Sequence, residues 1–490
     1  MYSVLRFAIK QESAHYEYCN TITKAANNLR NAVLFRMRQV LTFVDKPQTQ
    51  WTSNEKEIHD EIESALSIMN RCAEKYKMPS SGKTFLNYGF MDALMKATNN
   101  PDYFCKQLPR QSAQQIIKEV VSSMKSFYTA LRSYNAEPDK FTGRPKLPGY
   151  SKSGGNHSVV LTNQDCVVYE TSVGNEVCHE IKLPFCRERF HIGKAPVNGK
   201  LKQASIVPSH GVFLLILVFE DGQEPLVLKE TSRICAIDMG VDNLAAITNN
   251  VGKPCLLFKG GIAKSINQWY NKRMAQVMSE QTSSTKTKFV MTPEADGICL
   301  KRNNQLNDLF HKTAKNIVQW CINNNIDTIV IGKTKFWKQE TNIGKKNNQN
   351  FVQIPFDILR RGITYRAERC GIKIVEQEES YTSAASFVDD DKIPVYGKND
   401  NEAHFSGKRI RRGVYRNADG SKVNADLNAS ANILRKAFPD AFNCCSVNFN
   451  DVVVIAHPDY EKVVKLRKQQ FKNKKPASKA KLRRQVKKNK

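Results

Sequence analysis

Arg233-Ile234-Cys235-Ala236-Ile237-Asp238-Met239-Gly240-Val241-Asp242-Asn243-Leu244 is the stretch on which the reading of this chain turns. An apolar run ends in one carboxylate, a glycine turn follows, and a second apolar run extends from Leu244 to Thr248. This pattern predicts two buried strands with Asp238 closing the first. A charge stranded there is costly unless a metal ion or a strong hydrogen-bond partner compensates it. The reading therefore depends on whether other carboxylates arrive to share a metal.

Downstream, CLLFKG (Cys255–Gly260) predicts a third strand, so three strands follow one another through tight turns. A long helical region comes next, broken around Thr282–Gly297 by Ser, Thr and Pro. A helix is expected from about Leu300 to Asn325, with Leu306, Leu309, Phe310, Ile317, Val318, Cys321 and Ile322 on one face. Trp320 on that helix reads as core. Thr328–Gly332 predicts a short buried strand, Phe356 to Cys370 a further helix, and Ile372–Val375 another strand. Three meandering strands and then helix–strand–helix–strand is the order of a ribonuclease-H-like mixed sheet.

Upstream, residues 2–9 alternate as a strand, and Ser13 to Ser133 is helical in texture. Ala136-Glu137-Pro138-Asp139-Lys140 breaks the helices. A Pro-rich connector, Phe141–Tyr150, then leads into the strand-like runs HSVVL, CVVYE, HEIKLPF and FLLILVF. Short strands punctuated by Gly, Pro and Asn predict a small barrel or half-barrel.

At 490 residues the chain exceeds one ordinary core and predicts two or three domains. Its 75 basic against 47 acidic residues leave a net charge of +28, which favours a polyanionic partner through counterion release from phosphates. The last thirty residues carry fourteen Lys or Arg and one acid, so about half the excess lies in the body of the chain. The tail after Asp459 is of low complexity and expected to be disordered in isolation. The 13 cysteines are odd in number and scattered without a Cys-x-x-Cys pair, which argues against a disulfide framework and for a reducing compartment. Neither a signal peptide nor a membrane span is legible.

Three carboxylates stand out: Asp238, Glu379 just past the last predicted strand, and Asp426 opening a helix in Asn424-Ala425-Asp426-Leu427-Asn428. Each alone has an ordinary structural explanation: a turn, a solvated strand end, a helix first turn. Together, a sheet-centre strand, an adjacent strand and a helix N-terminus can converge. Three ionised carboxylates at one point call for cations, and two Mg²⁺ ions ~4 Å apart would suit phosphodiester cleavage. Asp238 would then bridge both ions, with Glu379 and Asp426 each favouring one.

The blocks AIDMGVDNLAAIT, TIVIGKTKFWKQ, FVQIPFDILRRGITYRAERCGIKIVEQEESYTS and NADLNASANILRK resemble TnpB, the RNA-guided nucleases of IS200/IS605-type transposons. They are equally similar to the eukaryotic Fanzor proteins and, more distantly, to compact type V CRISPR effectors. The resemblance runs from about Ile234 to Lys436, with an echo in GRPKLPGY. It implies a RuvC-like nuclease domain at 229–456 with a basic insertion at 384–425 and a basic tail at 457–490. It also implies a β-rich wedge domain at 1–10 and 140–228 with a helical recognition domain, 11–139, inserted in it. The family's catalytic, metal-binding carboxylates fall on Asp238, Glu379 and Asp426.

Two departures matter. Many members carry the glutamate on the preceding strand, where this chain has Gly332; here Glu379 takes the role, with Glu378 the alternative. Relatives often hold a four-cysteine zinc finger before the third carboxylate, but Tyr381 to Val423 contains no cysteine, so no zinc is expected.

Candidate nucleic-acid contacts are Arg144 and Lys146 in the connector and Lys333 and Lys335 beside Trp337. A flap of Lys408, Arg409, Arg411, Arg412 and Arg416 adds to them, with Tyr415 placed for base stacking. The implied cofactors are two Mg²⁺ ions and an omega-type guide RNA, the implied target is double-stranded DNA, and a monomer is expected. Rivals are a compact type V effector, a guide-dependent repressor without cleavage, and a plain RNA-binding protein. The tail suits a nuclear-localisation signal in a eukaryote or an RNA-binding arm in a bacterial cytoplasm. Gly82-Lys83-Thr84 and Gly332-Lys333-Thr334 lack the first glycine of a P-loop, so no ATP chemistry is implied.

Overall fold

The computed structural model describes residues 1–173, 176–194, 199–222, 224, 232–285, 288–333, 352–395, 404–443 and 445–459. They fall into two compact units, Met1–Gln223 and Glu224–Lys490. Lys335, Trp337 and the basic tail from 460 onward lie outside the described residues. No helix among the described residues is long and apolar enough to cross a membrane.

In the first unit β1 (Tyr2–Ile9) leads to α1 (Tyr16–Phe43), α2 (Ser53–Met69), α3 (Tyr88–Ala97) and α4 (Arg110–Ala136). Six strands follow: β2 (Val159–Thr162), β3 (Val167–Val173), β4 (Glu176–Lys182), β5 (Arg189–Gly193), β6 (Lys200–Ser209) and β7 (Val212–Glu220). They form two antiparallel sheets, β1-β7-β6-β2 and β3-β4-β5. The first strand pairs along its whole length with the last, Tyr2 opposite Glu220 and Ile9 opposite Phe213. The helices share one core with the strands, since Ile22, Leu29 and Ile117 cluster with Ile9, Leu215 and Leu217. The change from strand to helix expected near residues 10 and 140 is thus a change of element within one core.

The second unit opens with the meander β8 (Ile234–Asp238), β9 (Asn243–Asn249) and β10 (Cys255–Lys259). Then come α5 (Gly261–Thr285), α6 (Pro293–Asn323), β11 (Thr328–Lys333), α7 (Phe356–Arg369) and β12 (Lys373–Glu378). A small antiparallel sheet, β13 (Lys408–Arg411), β14 (Val414–Arg416) and β15 (Lys422–Asn424), leads directly into α8 (Ala425–Ala437). The last strand is β16 (Val452–Ile455).

The large sheet has the order β12-β11-β8-β9-β10-β16: the meander is antiparallel, whereas β11, β12 and β16 run parallel to their inner neighbours. This is a ribonuclease-H-like α/β sheet. Its inner strands β11, β8, β9 and β10 are buried on both faces because helices cover both. Cys235, Ile237, Ile329 and Ile331 pack with Leu306, Phe310, Ile317, Leu359 and Ile363 of α6 and α7. Ile234, Ala236 and Val330 turn the other way, onto Ile433 and Leu434 of α8. Period-two alternation carries that second face to the strand ends, so Asp238 and Gly332 both belong to the side covered by α8.

Candidate functional site

Asp238 ends β8 half-buried, on the α8 side of the sheet. Burial pushes its carboxyl well above the usual range, and the neighbouring charges of Glu379 and Asp426 push the same way, against the lowering effect of Arg409. The three carboxylates therefore share one electrostatic environment, although they come from three separate elements.

Glu379 follows β12 directly, and that strand is not a neighbour of β8: β11 lies between them. The sequence expectation of adjacent strands is corrected accordingly. Gly332 on β11 makes the reach possible, because a Cβ there would collide with Glu379 Oε2 and come within 2.7 Å of Ile433 Cδ1. The Glu379 carboxylate thus occupies the space above a residue with no side chain. The turn behind it is tight. Thr382 donates to the Glu379 carbonyl through Oγ1 at 2.8 Å, and Tyr381 adopts the left-handed region with φ 67°.

Glu378 takes a different direction. Its Oε2 accepts from Lys436 Nζ at 2.7 Å and its Oε1 from the Ser380 amide at 2.7 Å. Burial works to raise its pKa, but Lys436 and Ser380 outweigh it and hold the carboxyl below the usual range.

Asp426 sits in the first turn of α8 without being its cap. Asn424 performs that job, its Oδ1 accepting from the amides of Asp426 at 3.0 Å and Leu427 at 3.2 Å. The Asp426 carboxylate is left to face the sheet. Its Oδ2 accepts from Asn243 Nδ2 at 2.6 Å, and Arg409 pairs with its Oδ1 at 3.3 Å. The helix is seated by polar groups that the sequence reading did not assign. Ser430 Oγ donates to the Ala236 carbonyl at 2.9 Å, and Asn428 and Asn432 both donate to the Ala385 carbonyl, at 2.8 and 2.7 Å. Poor helix formers inside a buried helix were the available signal, since each needs a partner.

Among the described residues, the one group of three or more ligand-type side chains with atoms all within 4.8 Å of one another is His59, Asp60 and Glu63, on an exposed stretch of α2. Asp238, Glu379 and Asp426 are spaced more widely.

The basic insertion is the β13–β15 sheet. Lys408, Arg411 and Arg416 are exposed on it, and Arg412 forms an ion pair with Asp242, which Lys264 also holds. Burial works to raise the Asp242 pKa, but Lys264 and Arg412 outweigh it and hold the carboxyl below the usual range. Tyr415 is a correction: it is fully buried, donates to the Ala384 carbonyl at 2.7 Å and fills the space beside Gly407. It cannot stack on a base, because its ring is part of the sheet's anchor. Burial, helped by Asp391 and Asp389, pushes its hydroxyl up to about 12.

Lys333 is half-exposed and ion-paired with Glu376, which Arg360 also binds. Trp320 is partly buried against the α6–α7 core. In the first unit Arg144 and Lys146 are exposed on a connector held to α1, where Arg38 donates to the Pro148 carbonyl at 2.9 Å and lies over the Tyr150 ring.

Residues 219–338 match the family described as OrfB_IS605, probable transposase. The TnpB-like protein ORF457 of Acidianus two-tailed virus is 25% identical over 213 residues, and the match covers 42% of each chain, less than half of that relative's length. Among solved structures, a Cas12f1–sgRNA–target DNA complex aligns at 13% identity and a TM-score of 0.46, covering 88% of this chain and 98% of the other. The mini RNA-guided endonuclease Cas_phi3 aligns at 8% identity and a TM-score of 0.43, covering 89% and 92%. The fold and the carboxylates around Asp238 define a protein of the ribonuclease-H-like class. Within that class the chain is similar to TnpB-like proteins over part of its length.

Proposed function

We propose that this protein is an RNA-guided DNA endonuclease that hydrolyses target phosphodiesters at Asp238, Glu379 and Asp426. One observation supports the reading: on the α8 side of the sheet, burial of Asp238 and the nearby charges of Glu379, after β12, and Asp426, in the first turn of α8, raise the Asp238 pKa, and Gly332 leaves room for the Glu379 carboxylate. An all-oxygen, acidic donor set is what a hard divalent cation takes, and such an ion relieves the charge deficit, so these residues fit Mg²⁺. Bound there, Mg²⁺ supplies Lewis-acid activation of the phosphodiester and of the attacking water. Hydrolysis adds that water across the P–O3′ bond and leaves a 5′-phosphate and a 3′-hydroxyl.

The chain's own residues prepare the place. Asp238 faces both other acids; Gly332 admits the Glu379 carboxylate; Asn424 caps the helix so that Asp426 is free to point at the sheet. Arg409 presents a guanidinium at the rim of the site, suited to a phosphate oxygen. Lys408 and Arg411 extend the positive surface along the insertion. The guide RNA as source of sequence choice is proposed from the partial similarity to TnpB-like proteins, and the net charge of +28 supports a nucleic-acid partner. On this reading the first unit holds the guide scaffold and the DNA motif beside the target, with Arg144 and Lys146 on phosphates.

The test is to purify the protein with co-expressed guide RNA and offer it a plasmid library carrying the matched target beside randomised flanks, with Mg²⁺. Cleavage that needs guide, flank and Asp238, with Asp238→Ala still binding target, is the expected result. Cleavage by Asp238→Ala would overturn the site, and target binding without cleavage by the wild type would make the protein a guide-dependent repressor.

A further inference from the structure

Asn243 is almost fully buried, at 3% exposure, and its side chain joins two charged groups. Nδ2 donates to Asp426 Oδ2 at 2.6 Å, and Oδ1 accepts from Lys259 Nζ at 2.9 Å. The amide has one possible orientation. An ammonium only donates and a carboxylate only accepts, so the carbonyl end must face Lys259 and the NH₂ end Asp426.

This contact requires an irregularity in the sheet. Ala246 and Thr248 of β9 lie on the α8 side, Ala246 in the cluster with Leu427 and Thr248 against Ser430. Counting back by two from them places Asn243 on the opposite face. The pairing of β9 with β10 slips by one residue here: Ala245 is opposite Phe258, whereas Asn243 is opposite Lys259, so Leu244 is skipped. Such a bulge resets the alternation and turns Asn243 toward α8. It also brings Lys259 beside Asn243, where the ammonium meets the amide carbonyl. The Asn243 backbone carbonyl accepts from the Gly240 amide at 2.9 Å and so closes the turn that follows Asp238. One residue thus ties the Asp238 turn to the helix that carries Asp426.

We infer that Asn243 and Lys259, set by the bulge at Leu244, are positioning residues of the nuclease centre: they fix the Asp426 carboxylate through Oδ2, so that Oδ1, here paired with Arg409 at 3.3 Å, is the atom presented to a metal ion when Arg409 turns to a phosphate. The inference rests on the nuclease reading above. A neutral amide suits this task better than a cation, because it orients the carboxylate without cancelling the charge a metal ion needs. Loss of an outer partner of a metal-binding carboxylate typically costs ~10–100-fold in metal affinity or activity.

The experiment uses the guide-loaded complex with Asn243→Ala, Asn243→Asp, Lys259→Met and Lys259→Arg, and Mn²⁺ as probe. Mn²⁺ binding is read by electron paramagnetic resonance without turnover, alongside thermal unfolding, target binding and single-turnover cleavage. The expected result is Mn²⁺ affinity and cleavage reduced about 10–100-fold in Asn243→Ala. Asn243→Asp should fall further, since it sets a carboxylate against a carboxylate. Lys259→Met should be impaired and Lys259→Arg near wild type, with unfolding and target binding unchanged in both. Lys259 variants keep the test open if Asn243→Ala fails to fold. Unchanged Mn²⁺ affinity in folded Asn243→Ala or Lys259→Met, while the wild type cleaves in an Asp238-dependent way, would overturn the relay alone. A wild type that neither binds Mn²⁺ nor cleaves would overturn the nuclease reading and the relay with it.

Discussion

At the scale of single residues, the two neighbouring glutamates show how a site is decided by partners. Glu378 is committed to Lys436 and the Ser380 amide, whereas Glu379 lies over Gly332. Strand position made either acid eligible, and the sequence alone could not choose, because the choice depends on a missing side chain one strand away. Gly332→Ala should displace the Glu379 carboxylate and lower cleavage by at least about 10²-fold with target binding retained; equal cleavage rates would show that Glu379 does not act from that position. Glu378→Gln should instead be a stability change. Its folded pKa is depressed, so the ion pair contributes above the ordinary glutamate range and the contribution is lost as pH falls through the folded value. The pair is partly exposed and screened by solvent, so the cost at pH 7 is at most about 1 kcal/mol. Chemical denaturation at pH 7 and again near pH 3 should show the difference between the two proteins closing at the acid end.

At the scale of elements, the order of strands and helices was legible because the apolar runs are short, regular and punctuated. ICAID, LAAIT, CLLFKG and TIVIG all became strands of one sheet. The helix expected from about Leu300 begins earlier, at Pro293, where Thr292 caps it. Not legible was the β13–β15 sheet: its strands are three or four residues long, strongly basic and without an apolar period. That hid Tyr415, which stands between a partly exposed Val414 and an exposed Arg416 although its own ring is buried. Tyr415→Phe should keep cleavage and lose about 1 kcal/mol with the hydroxyl's hydrogen bond. Tyr415→Ala should lose about 3–5 kcal/mol of the unit's stability, as emptied aromatic sites do. Thermal unfolding of the two variants checks this. Full stability in Tyr415→Ala would return the residue to the surface role first expected of it.

At the scale of the whole molecule, charge is the property read most directly from the sequence. Phosphate contacts release counterions, so affinity should fall steeply with salt, and each lost contact should flatten the slope by roughly 0.7–0.9. Replacing Lys408 and Arg411 together by alanine should therefore weaken DNA binding at every sequence and reduce the salt slope without altering target choice. Filter binding across a salt series, with matched and mismatched targets, measures both. A change in target preference would mean that these side chains read bases. The difference in texture between a β-rich half and a half led by Asp238 was also legible in the sequence. The single core that joins helices and strands in the first unit was not, because the pairing of residues 2–9 with 213–220 spans the whole unit and leaves no local trace.

The central claim is that Asp238, Glu379 and Asp426 form one hydrolytic centre. The most direct measurement is single-turnover cleavage of a matched duplex by the guide-loaded protein and by Asp238→Ala, Glu379→Gln, Asp426→Asn and Glu378→Gln. The account predicts that the first three each lose at least about 10²–10³-fold while still binding target, and that Glu378→Gln stays close to wild type. Cleavage at the wild-type rate by any of the first three, or loss in Glu378→Gln with full activity in Glu379→Gln, would contradict it.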